Sequence, residues 1–143
     1  MKKRSVANSI SPKPLEDLTF FLDRQLGRHK MSGILRAAGL KVEIHDDHFA
    51  QDAKDEEWLM AVGQKRWVIV TRDERIRYRL AARQAIRRAK VRMFVLVARG
   101  NLRIEALAEI FLKACPKVCA LAAKQKPPFI AKIWRDGNVA VIA

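Results

Sequence analysis

Three apolar, strand-like segments in this chain each run out into acid. Thr19-Phe20-Phe21-Leu22 ends at Asp23. Val42-Glu43-Ile44 leads to Asp46 and Asp47. Trp67-Val68-Ile69-Val70 is followed by Thr71-Arg72-Asp73-Glu74. Between the last two, Asp55-Glu56-Glu57 opens a helix-like stretch. A buried strand that ends in Asp delivers a carboxylate to the rim of its sheet, and in open parallel sheets the carboxyl edge is where ligands sit. Carboxylates crowded there repel one another unless a cation neutralises them. Mg²⁺ or Mn²⁺ is the natural counter-ion, because it takes oxygen ligands and keeps waters for chemistry. Such an ion activates water and steadies the charge of an in-line phosphoryl displacement without a protein nucleophile. The candidate ligands are Asp23 and Asp73 with one or more of Asp46, Asp47, Asp55 and Glu56, and Glu74 stands beside them.

The charge distribution sharpens this reading. The chain has 143 residues and a net charge of +14, yet ten of its 15 acids lie between Asp23 and Glu74. From Arg75 onward there are three acids (Glu105, Glu109 and Asp136) against 16 Lys and Arg. An acidic cluster inside a basic protein fits a hard-cation site facing a polyanion. Half the residues are hydrophobic, which excludes a disordered tail. No apolar run approaches the ~20 residues of a membrane span, and no signal-peptide core follows Met1-Lys2-Lys3-Arg4, so the expected location is the cytoplasm with no membrane partner. Cys115 and Cys119, four apart, read as small core-facing thiols of a reducing compartment, because a zinc site would want more Cys or His nearby. His29, His45 and His48 read as structural or solvated.

These residues need a scaffold. Residues 1–18 form a basic lead-in broken by Pro12 and Pro14, and 19–143 read as a single domain. Strands are expected at Thr19–Asp23, Leu40–His45, Trp67–Val70 and Val91–Val97. Helices are expected at Arg28–Ala38, closed by Gly39, at Asp55–Val62, closed by Gly63, over 75–89, and at Ile104–Leu121, where Pro116 kinks or splits the helix. Phe129–Trp134, an Asp136-Gly137-Asn138 turn and Val139–Ile142 give a C-terminal β-hairpin. This alternation is α/β with a mostly parallel sheet.

Leu22-Asp23-Arg24-Gln25-Leu26, then Asp55-Glu56-Glu57-Trp58-Leu59, then Val70-Thr71-Arg72-Asp73, resemble the PIN-like domains. These are the metal-dependent ribonuclease fold that includes the VapC-type toxins of bacterial toxin–antitoxin pairs. The resemblance covers about residues 19–135, and its third motif is the sharpest. It implies a PIN-like three-layer α/β/α fold and an endoribonuclease that cuts RNA with Mg²⁺ or Mn²⁺. Asp23 matches the first acid, Asp55 the acid opening the middle helix, and Asp73 the acid after the third strand. It also implies a cognate antitoxin protein as partner, with a homodimer as one expected assembly.

Arg24, Arg72, Arg75, Arg79, Arg83 and Arg87 are the expected RNA contacts, made to phosphates. A different class of function stays open: a non-catalytic RNA- or DNA-binding module on the same fold, favoured by Arg24 directly after the first acid and by the lack of acids over 75–98. Asp23 and Asp73 could each be helix caps instead, and Thr71 could orient a metal-bound water. Between Asp55 and Glu56, helical geometry favours Asp55. It lies three and four positions before Trp58 and Leu59, so it projects over the buried face.

Overall fold

The four-residue segment Val68-Ile69-Val70-Thr71 is wholly buried, which is what a β-branched run in the middle of a sheet requires. In the computed structural model, which describes residues 18–26 and 29–143, the sheet built around it has six strands. They are β1 (Thr19–Leu22), β2 (Lys41–Ile44), β3 (Val68–Thr71), β4 (Arg92–Val97), β5 (Phe129–Trp134) and β6 (Val139–Val141), in spatial order β2-β1-β3-β4-β5-β6. All pairs are parallel except β5 with β6, the expected terminal hairpin. Gly137 supplies the positive φ (88°) of its turn.

Helices α1 (Lys30–Ala37), α2 (Asp55–Gln64), α3 (Leu80–Arg88) and α4 (Ile104–Lys124) cover the sheet. Strand alternation sorts them into two layers. Phe20, Leu22, Val68, Val70, Phe94 and Leu96 point to one face, under Met31 and Leu35 of α1 and the buried stripe of α4. Phe21, Ile69, Met93 and Val95 point to the other, under Trp58, Leu59 and Val62 of α2 and Ala82, Ala85 and Ile86 of α3. The architecture is therefore three-layer α/β/α. No described helix is long and apolar enough to cross a membrane.

Three expectations change. Pro116 neither splits nor ends α4, which runs unbroken through it from Ile104 to Lys124. A helix-interior proline costs about 3 kcal/mol. Burial of Leu107, Phe111, Ala114 and Val118 against the sheet outweighs it, at roughly 1.5–3 kcal/mol for each large side chain. The base-rich stretch after Asp73 is not one helix but a short 3₁₀ turn (Ile76–Tyr78) followed by α3. Gly63 does not close α2; it lies in the last turn, and the chain reverses at Arg66 (φ 61°). Gly63 is there because the helix passes close to the end of α3. A Cβ on it would lie 2.4 Å from Ala89 Cβ and 2.9 Å from the Ala89 carbonyl oxygen. Gly39, by contrast, follows α1 with φ 95°, as a helix-terminating glycine should. The lead-in, apart from Leu18, and the start of the first expected helix at Arg28 lie outside the described residues.

Gly63→Ala should destabilise the protein by about 1–3 kcal/mol, the usual range for overpacking against rigid backbone. Urea denaturation monitored by circular dichroism measures this, and an unchanged midpoint would mean that the contact between the two helices yields freely.

Candidate functional site

Leu22 of β1 pairs with Val70 of β3, so the residues that follow, Asp23 and Thr71, are neighbours at the carboxyl edge of the sheet. The Asp23 amide donates to the Val70 carbonyl at 3.0 Å, which continues the ladder one residue further. The Asp23 side chain is buried, and each of its oxygens accepts one hydrogen bond. Thr71 Oγ1 donates to Oδ2 at 2.8 Å, and the Arg24 amide donates to Oδ1 at 2.7 Å. The same Thr71 oxygen accepts from the Asp73 amide at 3.0 Å. Thr71 is fully buried, and its one hydroxyl holds two acids in register.

The third acid arrives on α2. Asp55 Oδ1 accepts from the Trp58 indole at 3.2 Å, one helical turn on, while Trp58 itself is buried beneath. Asp55 Oδ2 and Asp73 Oδ2 share a single donor, Arg79 Nη1, at 2.9 and 2.7 Å. Asp73 Oδ1 also accepts from the Arg75 amide at 3.1 Å, which closes a local turn. The N-cap positions of the 3₁₀ segment and of α3 are Arg75 and Arg79, so Asp73 is not the cap of either.

Asp23, Asp55, Glu56, Asp73, Arg24 and Arg79 thus line one open cleft of about 400 Å³, with Asp52 and Lys54 on its rim. The other acids suggested by sequence lie outside it. Asp46 accepts a hydrogen bond from Gln51 at 3.2 Å; Asp47 and Glu74 are exposed and do not line it. Arg24 turns its guanidinium onto the Gln51 and Ala53 carbonyls (2.6 and 3.2 Å) and so ties the loop before α2 to β1. Arg72, Arg75, Arg83 and Arg87 do not line this cleft. His45 is buried among Phe21, Phe49 and Trp58, and burial lowers its pKa, which keeps the ring neutral. His48 pairs with Glu43 at 2.7 Å. Cys115 and Cys119 are buried free thiols in the core, as expected. Sequence reasoning missed the Trp58–Asp55 bond, although the i, i+3 spacing carries it. It also missed the Arg79 bridge, because nothing local links a base to acids six and 24 residues away.

The donor set was tested for a hard divalent cation. It is all oxygen, and each Asp23 oxygen has lone-pair capacity beyond its one hydrogen bond. Asp55 and Asp73 already converge on one positive charge, that of Arg79. In chemistry the acids fit such an ion. Among the described residues, however, no three His, Cys, Asp or Glu are gathered tightly enough to hold one while Arg79 stands between Asp55 and Asp73.

Residues 18–98, which carry all three acids, match the family described as PIN like domain. The chain belongs to the PIN-like domain family. It is 27% identical over 126 residues to the Mycobacterium tuberculosis protein named "Putative ribonuclease VapC45", a match that spans 85% of this chain and 90% of that relative. No solved structure matches.

Burial pushes the Asp23 carboxyl above its ordinary value of 3.8, against the opposing pull of the Thr71 and Arg24 hydrogen bonds. Folding therefore favours the neutral form. That contribution to stability is full below 3.8 and is lost as pH rises through the raised folded-state value. Asp23→Asn, which cannot ionise, should melt at a higher temperature than the wild type at pH 7 in metal-free buffer. The gap should close as the pH falls towards 3.8. Calorimetry across this range measures it, and a less stable variant at pH 7 would contradict the reading.

Proposed function

We propose that this PIN-like protein is a metal-dependent endoribonuclease that cleaves RNA phosphodiesters, the toxin of a type II toxin–antitoxin pair. The observation that carries the reading is the meeting of Asp23, Asp55 and Asp73, from two strand ends and a helix start, in one open cleft of an otherwise basic protein. Its likeness to a relative named a ribonuclease supports the substrate class.

Asp23, Asp55 and Asp73 are the residues that would hold Mg²⁺ or Mn²⁺, with Glu56 beside them in the cleft. Bound there, such an ion would supply Lewis-acid help to a water attacking the phosphodiester and offset developing charge. The chain's own part is positioning. Thr71 holds the Asp23 carboxylate and the Asp73 backbone together, and Trp58 aims Asp55. Arg79 brings a guanidinium to the point where substrate phosphate would meet the acids, and Arg72, Arg75, Arg83 and Arg87 add charge for the flanking backbone. The resemblance to VapC-type toxins supports a cognate antitoxin, a homodimer and a cytoplasmic location as parts of the same proposal.

The test is cleavage of single-stranded RNA with Mn²⁺ and with EDTA. Asp73→Asn should abolish Mn²⁺-dependent cleavage and leave the fold intact, because Asn closes such a turn as well as Asp does. Full activity in that variant would remove the reading, while RNA bound but uncut by the wild type would leave a binding module.

Arg79 and the metal compete for Asp55 and Asp73 on this proposal. Arg79 is half exposed (46%), and such ion pairs contribute only about 0.2–1 kcal/mol each, so the bridge is weak enough to displace. Arg79→Gln should therefore tighten Mn²⁺ binding roughly two- to tenfold by calorimetric titration without RNA. Weaker binding in the variant would show that Arg79 assembles the acids instead of competing for them.

A further inference from the structure

A second cleft, of about 460 Å³, lies along the outer side of α3 over the start of β5. Its walls include Arg77, Tyr78, Arg83, Ile86, Arg87 and Phe129. We propose that it is a subsite for a single-stranded RNA nucleotide flanking the cleavage position, the base stacked on Tyr78 and the phosphates held by Arg83 and Arg87. This rests on the ribonucleolytic reading above and adds to it a site for the strand.

The argument starts from charge. No Asp or Glu lines the cleft. Among the described residues, the guanidiniums of Arg83 and Arg87 have neither a hydrogen-bond nor an ion-pair partner. They sit four apart on α3 and so project from the same face of the helix. Ala143 also lines the cleft, its backbone oxygen bonded by the Ile130 amide at 3.1 Å, but no described Asp or Glu side chain neutralises Arg83 and Arg87. Two neighbouring unpaired guanidiniums recognise an anion, which disfavours a basic partner.

The aromatic wall narrows the class further. Tyr78 is 66% exposed, an unusual position for a large ring in a chain whose other aromatics mostly fill the core. The Arg77 guanidinium lies 4.6 Å from its ring centroid, a cation–π contact with the ring itself that leaves most of the side chain open to solvent. An exposed ring beside arginines is the arrangement that single-stranded nucleic acid uses, with bases stacked on the ring and phosphates on the bases' flanking charges. The volume lies within the usual 300–1,000 Å³ of small-ligand sites, enough for one nucleotide.

Position supplies the link to the acids. Tyr78 is followed directly by Arg79, whose side chain bridges Asp55 and Asp73. The two clefts share no lining residue, so a strand that occupies both would have to pass over the turn that carries Tyr78 and Arg79. The sequence carried a trace of this in Arg75-Ile76-Arg77-Tyr78-Arg79, one aromatic set within a run of bases.

The experiment is fluorescence anisotropy of a labelled single-stranded oligoribonucleotide in EDTA, so that binding is read without cleavage. Tyr78→Ala should weaken binding about tenfold with the salt slope unchanged, and Tyr78→Phe, which keeps the ring, should bind as the wild type does. The double variant Arg83→Gln, Arg87→Gln should flatten the slope of log K against log salt by about 1.4, for two phosphate contacts. Melting temperatures guard against misfolding. Wild-type affinity in Tyr78→Ala, or equal losses in Tyr78→Ala and Tyr78→Phe, would overturn the subsite and leave the ribonucleolytic reading intact; the cleft would then face a protein. A wild type that binds no RNA in EDTA yet cleaves it with Mn²⁺ would overturn the subsite alone, and one that neither binds nor cleaves would overturn both.

Discussion

The hydrogen bond from Thr71 to Asp23 is the contact on which the acid edge depends. A carboxylate buried beside the sheet is costly unless its oxygens find donors. Here they find one hydroxyl and one backbone amide, both fixed by the ladder that pairs β1 with β3. Because the same hydroxyl also receives the Asp73 amide, the ends of two strands are tied through one oxygen atom. Any slip in the β1–β3 register would separate Asp23 from Thr71 and leave a buried carboxylate short of a partner. Burial nevertheless keeps Asp23 above its ordinary pKa, so the edge carries unrelieved electrostatic cost. Cost of that kind clusters at functional sites, although structural ion-pair networks carry it too.

The second constraint is how a basic protein keeps its acids together. Asp55 and Asp73 come from elements 18 residues apart and would repel across an open cleft. Arg79 resolves this by sitting between them, at the junction of the 3₁₀ turn and α3, where the break in the helical pattern lets its side chain reach back. The break that ended the expected continuous helix is thus the feature that places the guanidinium. It also leaves Tyr78 exposed, in one cleft with the unpaired arginines of α3. Acid (Asp73), exposed ring (Tyr78), bridging base (Arg79) and basic helix follow one another along about 15 residues, an arrangement suited to a polyanion.

Much of the scaffold was legible before any coordinates. Continuous β-branched runs ending in acid fix parallel strands and their carboxyl edge, and the spacing of Met31, Ile34 and Leu35 or of Trp58, Leu59 and Val62 fixes helices and their inward faces. Such patterns are local, because strand and helix periods are properties of consecutive residues. Asp23, Asp55 and Asp73 could be named for the same reason: each follows or opens an element whose end was readable. Local punctuation was less reliable. Pro116 and Gly63 both read as terminators, and both lie inside helices, because burial of α4 on the sheet and the approach of Ala89 to α2 are long-range contacts that local propensity does not contain.

What the tertiary structure alone decided is which acids share a space and what stands between them. By sequence, Asp46, Asp47 and Glu74 stood as further candidates behind Asp23, Asp55 and Asp73. The fold sends them elsewhere and brings Asp55 in, because α2 packs its Trp58 face beneath the sheet edge. Thr71 became a buried link between two acids, Arg24 a tie for the loop before α2, and Arg79 the bridge between the other two acids. Each of these roles depends on atoms from residues 24 to 48 positions apart meeting within hydrogen-bond distance. Residue type and spacing determine which elements form and what chemistry they carry; the distances between those elements, and so the pairing of charges, are set only when the sheet and its two helical layers close on one another.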